Sequence, residues 1–337
     1  MTPLASLDYV TARRVWFGIS QMFLAAAAFL LWRSFGRDWA SACWIAFVWA
    51  LGGSAEESLA LGQVGPLLVL VTVLAFTCRR WRQGAAVAVG FAVKLFPGLL
   101  GVALLLRRER TAVRGMILTA FAVTLIPWLA VACFLRGPAA APAGAWAGTA
   151  ATLSWSLPSV VLRILDPPTQ VYPLPVNWVE GPDLGRFRLP PVVSAAAVGV
   201  ALLTLGAGMA ALLRLVRTRL TEEQVPWAMA ALTALVLAAA PVCWTHYQIL
   251  QYPGVALLLT YCWRQRQWWQ LGVALALAAL LYPIPVAILS SYYYRYNAWT
   301  AHSLSTLYIW TSVTPIASLG LFGLFLRQMR EKSELLG

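Results

Sequence analysis

Phe91-Ala92-Val93-Lys94-Leu95-Phe96-Pro97 is the stretch on which the fold turns. It joins two short apolar segments, 84–94 and 96–106, each too short by itself to cross a hydrocarbon core of roughly 30 Å. Either one continuous span carries Lys94 at mid-membrane, or the chain breaks between Lys94 and Pro97 and returns as two short helices. Pro97 lacks an amide N–H and disfavours helix at the residue before it. A lysine at mid-membrane costs about 3 kcal/mol on insertion scales. The remaining basic residues decide. With a break, Arg33, Arg37, Arg79, Arg80, Arg82, Arg107, Arg108, Arg110, Arg114, Arg214, Arg217, Arg219, Arg264, Arg266, Arg327, Arg330 and Lys332 share one side, 17 of the 25 Lys and Arg. Without it, every segment after residue 106 inverts and that side holds 10. Basic residues accumulate on the cytoplasmic side of membrane proteins, so a broken hairpin is predicted, with Lys94 at its outer turn.

The chain around this hairpin has the composition of a membrane protein. Of its 337 residues 61% are hydrophobic and 11% charged, with a mean hydropathy of +0.73; a soluble domain carries about a quarter charged residues. Further apolar segments fall at 15–32, 40–54, 66–78, 115–134, 192–213, 226–243, 249–263, 269–289 and 304–326. The expected fold is all-α: one polytopic membrane domain of about eleven transmembrane helices, some short or broken. Residues 1–134 form its N-terminal part, 135–191 an outer loop rich in Pro, Gly, Ala and Trp, and 192–337 the C-terminal helices. Within the loop, Trp155, Leu157, Val161 and Leu165 recur at near-helical spacing and predict a short interfacial helix over 152–165. The C-terminal tail is expected in the cytoplasm and the N-terminus outside. An outside N-terminus with no basic leader region predicts that an upstream segment is absent.

The formal charge of +13 resides in arginine clusters between apolar runs, which excludes nucleic acid as its reason. Cys43, Cys78, Cys133, Cys243 and Cys262 are scattered singly, so neither a disulfide framework nor a metal site is readable.

Polar residues able to do chemistry gather at the outer ends of the segments. Lys94, one of only two lysines, is placed to hold an anion such as a phosphate as a point charge. Glu56 and Glu57 open the outer loop 56–63, where adjacent carboxylates can take a proton or position hydroxyls; Gln63 closes it with an amide. His246 lies in Pro241-Val242-Cys243-Trp244-Thr245-His246-Tyr247, where an imidazole suits proton transfer or phosphate contact near neutral pH. Trp244 and Tyr247 beside it suit sugar stacking, and equally an interfacial aromatic belt. Asp8 is the one carboxylate before the first segment, and Arg14 and Arg163 are outward cations able to meet a lipid phosphate.

Taken in order, Leu61-Gly62-Gln63-Val64, Phe91 to Pro97, Ser154-Trp155-Ser156-Leu157 and Pro241 to Tyr247 resemble glycosyltransferase family 87, of the C-type, polyprenyl-phosphate-sugar-dependent membrane glycosyltransferases. The resemblance extends over about residues 1–265 and is similar to the mycobacterial mannosyltransferases that use polyprenol-phosphate mannose. It implies a site at the outer leaflet of the bacterial inner membrane and inverting transfer of a sugar, mannose above all, to a lipid or glycan acceptor. It implies Lys94, Gln63, Arg163 and Arg14 toward the donor phosphate, and His246, Glu57 and Asp8 as candidate catalytic groups. Glu56, Trp244, Tyr247 and Ser156 would contact sugar or acceptor. No metal or other cofactor is expected. Two departures stand out. The resemblance implies that the family's first span and first outer loop, with its aspartate, would precede Met1, and Ser156 follows a tryptophan where relatives often carry asparagine. A transporter or lipid flippase, or an inactive relative of the transferases, are the alternatives.

Overall fold

The computed structural model describes residues 7–50, 53–60, 62–94, 96–125, 156–165, 191–216, 219–240, 243, 245–281, 284 and 301–334. Among them it is all helical, with no strand. The helices are α1 (Tyr9–Phe35), α2 (Trp39–Ala50), α3 (Gly53–Ala60), α4 (Gly65–Thr77), α5 (Trp81–Val93), α6 (Gly101–Arg107), α7 (Arg110–Ala120), α8 (Leu157–Leu165), α9 (Pro191–Leu215), α10 (Val225–Ala239), α11 (Tyr252–Arg264), α12 (Trp268–Leu281) and α13 (Ala301–Glu334). Short 3-10 segments occupy Phe96–Leu100 and Thr245–Gln251, and a π turn, Phe121–Leu125, follows α7.

The hairpin forms. Helix α5 stops at Val93, Lys94 is extended (φ −150°, ψ 140°), and the chain re-enters through Phe96–Leu100. Its two limbs pack against each other. A Cβ placed on Gly90 would stand 3.0 Å from Pro97 Cβ, and one on Gly101 would stand 3.8 Å from Val87 Cγ1. Residues 87 and 90 therefore face 101 and 97, the pattern of a chain that has turned back. Proline supplies the stop, since its ring cannot continue the ladder of α5.

The arginine ends meet, as the charge count requires. Phe35 at the end of α1, Arg79 after α4, Arg107 of α6, Glu222 before α10, Arg264 of α11 and Lys332 of α13 line one cavity at one end of the molecule. Arg107 Nη1 donates to Gln83 Oε1 at 3.2 Å, and Arg79 pairs with Glu222. A continuous span across Lys94 would have put Arg107 at the opposite end from Arg79. A second tie sits at the same end: Arg264 Nε donates to Asp38 Oδ2 at 3.0 Å and Arg264 Nη1 donates to the Phe35 carbonyl. Asp38 also accepts the Ser41 amide at 2.7 Å, capping α2.

The core is built from small residues. Every residue of α10 is buried, six of its fifteen being alanine, and the helix packs against α9, α11 and α13. Helices α5 and α7 approach so closely that a Cβ on Gly84 would overlap the Ala112 carbonyl, and one on Gly115 the Trp81 carbonyl. Backbone contact of this kind replaces the missing hydrophobic drive between helices in lipid. The exterior is apolar instead: Leu203 of α9 is 73% exposed and Met22 of α1 is 71% exposed. Helices Tyr9–Phe35 and Ala195–Leu215 are long and apolar enough to cross a membrane; the other apolar helices are shorter.

Two expectations need adjustment. The stretch opened by Glu56 and Glu57 is helix α3 and not a loop, because Ser54, Ala55 and Ser58 bury one face at helical spacing. The apolar segment 40–54 is accordingly split between α2 and α3. A helix stands at Leu157–Leu165 within the expected 152–165, with 152–155 outside the described residues; residues 126–151 and 166–190 lie there too.

Replacing Gly84 with valine should destabilise the folded protein in detergent by about 1–3 kcal/mol or more, because neither backbone can retreat; thermal unfolding measures it. Hydrogen bonds from Ser41, then Arg264, hold the Asp38 carboxyl down to about 2. A lowered carboxylate stabilises above its unfolded value near 4, and the contribution is lost as pH falls from there toward 2. Asp38→Asn should keep the cap and lose that pH dependence, whereas Asp38→Ala should cost about 1 kcal/mol at neutral pH.

Candidate active site

At the end opposite the arginines, the hairpin tip meets the 3-10 helix Thr245–Gln251 at Lys94. Its amide donates to the Gly90 carbonyl at 2.9 Å, so the backbone is fixed by the last turn of α5. Its ammonium donates to the Tyr247 hydroxyl and stands 3.7 Å from the centroid of that ring. Both residues are half-buried. The bond joins the hairpin tip to the 3-10 helix Thr245–Gln251, across 153 residues of sequence. An ammonium carries three N–H donors, so this contact leaves capacity for an anion.

The 3-10 helix also carries His246, beside Tyr247. The side chain of His246, and the whole of Trp244, lie outside the described residues. Behind the helix runs a buried amide chain. Gln248 Nε2 donates to Cys243 Sγ at 3.4 Å, and Gln251 Nε2 donates to Gln248 Oε1 at 2.6 Å and to Ser318 Oγ at 2.9 Å. These bonds fix the turn on α13 from beneath.

Helix α3 packs against the same 3-10 helix. Its backbone carries Glu56 and Glu57, whose side chains are not described. The helix closes in a Schellman motif: the Gln63 amide donates to the Ser58 carbonyl at 2.8 Å and the Gly62 amide to the Leu59 carbonyl at 3.1 Å. Gly62 sits at φ +63°, which a side chain would strain. Gly62-Gln63 is thus a helix terminator, and it holds Gln63, half-buried, at the entrance to α4.

This corner holds residues that the sequence did not single out. Ser54 Oγ and the Tyr252 hydroxyl share a hydrogen bond between α3 and α11. Tyr252 packs edge-on to Trp49 at 6.0 Å. Ser58 Oγ, Trp49 Nε1 and Trp16 Nε1 are buried without a hydrogen-bond partner, and the Trp16 ring stands 3.8 Å from a Cβ built on Gly62. Buried polar atoms are normally paired, so three unpaired ones around α3 mark this as an unusual corner of the core. No local pattern marks them, because their chemistry arises only when α1, α2, α3 and α11 meet.

Other candidates stand apart. Asp8 is exposed and caps α1, accepting the Thr11 amide at 3.0 Å; those bonds with Thr11 lower its pKa, which weakens it as a base. Arg14 is exposed on α1. Ser156 is buried and bonds Ser159 at 2.8 Å at the head of α8, a helix that packs on α9, α10 and α13. Arg163 lies on α8, its side chain undescribed. Among the described residues no group of three or more His, Cys, Asp or Glu is arranged to hold a metal.

No curated protein and no solved structure matches the chain significantly. A family model does, over residues 1–241. The match takes in Gln63 and Lys94 and ends just before the corner that carries His246 and Tyr247. With well over half its length matched, and an all-helical fold around the lysine hairpin, the chain belongs to glycosyltransferase family 87, a family of membrane glycosyltransferases.

Proposed function

We propose that this glycosyltransferase moves a sugar, mannose by resemblance, from a polyprenyl-phosphate donor to a lipid or glycan acceptor, with inversion, at the periplasmic face of a bacterial inner membrane. One observation carries the reading. Lys94 is bound to the turn that bears His246, a turn against which α3 packs, at the end opposite the arginine clusters. In a polytopic membrane protein with those arginines in the cytoplasm, this end faces outward.

The chemistry assigns each group a task. An acceptor hydroxyl attacks the anomeric carbon of the sugar; its C–O bond forms as the bond from that carbon to the phosphate oxygen breaks, and the polyprenyl phosphate leaves with the electron pair. The acceptor proton goes to a carboxylate, Glu57 or Glu56 on α3. Lys94 stabilises the charge on the departing phosphate, in a half-buried setting where a point charge acts more strongly than in water. His246 contacts the phosphate or the reacting centre from the adjoining turn. Gln63 and Tyr247, both half-buried, offer bonds to sugar or acceptor hydroxyls.

Purified protein supplied with polyprenyl-phosphate mannose tests this. Lys94→Ala should lower turnover by roughly 10²–10³-fold, and Lys94→Arg should restore part of it. Tyr247→Phe, which keeps the ring and removes the acceptor of the lysine's bond, should cost about tenfold. His246→Ala should abolish transfer. Full turnover by folded Lys94→Ala, checked by its unfolding temperature, would refute the assignment.

A further inference from the structure

The cavity at the arginine end has a volume of about 600 Å³. It shares no wall with Lys94, and nothing in the transfer chemistry uses it. Four cations line it, Arg79, Arg107, Arg264 and Lys332, with two carboxylates, Glu222 and Glu223. Asp38 engages Arg264 from outside the lining. Counting Asp38, the wall keeps one net positive charge.

Arg107 is the informative member. Its side chain is 14% exposed, so its charge is largely withdrawn from water. Its hydrogen bond is to a neutral group, Gln83 Oε1, which is itself held because Gln83 Nε2 donates to the Ala75 carbonyl at 2.7 Å. The nearest carboxylate oxygen, Glu222 Oε2, stands at 3.8 Å, beyond hydrogen-bond reach, while Glu222 Oε1 is taken by Arg79. A guanidinium has five N–H donors in a fixed fork. One largely shielded from water, facing a cavity with most donors unfilled, is a receptor for an oxyanion. Trp227 and Tyr261, edge to face at 5.4 Å, form an apolar wall of the same cavity, which suits the ester side of a phosphate.

We infer that the cavity between α1, α4, α6, α10, α11 and α13 binds a phosphate group, with Arg107 and Arg79 on its oxygens and Glu222 as the internal competitor it displaces from Arg79. Basic pockets between helices at a membrane's cytoplasmic side have the chemistry to take anionic headgroups, and inorganic phosphate offers the same oxyanion. The inference is independent of the donor assigned above.

The full chain in phosphatidylcholine nanodiscs can be titrated with inorganic phosphate, and its unfolding temperature compared in phosphatidylcholine and phosphatidylglycerol discs. A phosphate isotherm identifies the free ion as occupant; a rise in unfolding temperature in phosphatidylglycerol discs alone identifies the headgroup. In whichever arm responds, Arg107→Gln should weaken binding by roughly thirtyfold or more. Glu222→Gln should tighten it several-fold, since it removes the competing carboxylate. If Arg107→Gln fails to fold, the Glu222→Gln result decides by itself. No response to either probe, or an affinity that Glu222→Gln leaves unchanged or weakens, overturns the inference.

Discussion

A single reversal of the backbone organises this protein. Between Val93 and Phe96 the chain leaves one short helix and starts back down the next. Everything after that point takes its direction from the turn. Because the chain turns, Arg107 returns to the end that holds Arg79, and the helices that follow bring Arg264 and Lys332 to it as well. Because it turns at Lys94, the ammonium is delivered to an end otherwise dominated by aromatic and hydroxyl groups. The bond from Lys94 to Tyr247 then links the first half of the molecule to the second. The membrane supplies the reason for the reversal: a charge is far less costly at an interface than at mid-depth.

The two ends are chemically opposite and mechanically joined. Helix α11 is held at its first residue by the Tyr252–Ser54 bond and at its last by Arg264 with Asp38. Helix α10, buried along its full length, gives the other helices a common surface of small side chains. Such an interior tolerates little displacement, because backbones touch where side chains would otherwise yield. The candidate site on α3, the hairpin tip and the turn at 245–251 rests on that interior, and a rigid frame is what positioning groups for transfer requires.

Much of the fold was legible in the residues, and the reasons are physical. Charge separation and one proline were enough for the hairpin, since both act over long ranges of sequence. Apolar segments fell near α1, α4, α5, α9, α10 and α11. Helix α3 was not legible: Gly53-Ser54-Ala55-Glu56-Glu57-Ser58 has low hydrophobicity, and its buried face consists of serines and an alanine whose partners come from distant segments. Asp8 shows the converse: its position just before the first apolar segment suits a catalytic carboxylate and a helix cap alike, and it caps α1. The Lys94–Tyr247 bond and the unpaired Ser58 and tryptophan atoms belong to tertiary structure alone. His246, Glu56 and Glu57 reach the corner through their backbones, on elements that touch.

The lengths of the helices that carry the site have a consequence for the lipid around it. Helices α4, α5 and α11 are each 13 residues long, about 20 Å at the rise of an α-helix, against roughly 30 Å of hydrocarbon. α1, at 27 residues, exceeds that thickness. A bilayer meeting both must pinch beside the short helices and stay full beside the long one. The dimple this creates would set the lysine tip below the general plane of the headgroups, at a depth where the donor proposed above, a prenyl-anchored phosphate, would reach it by lateral diffusion without rising into water.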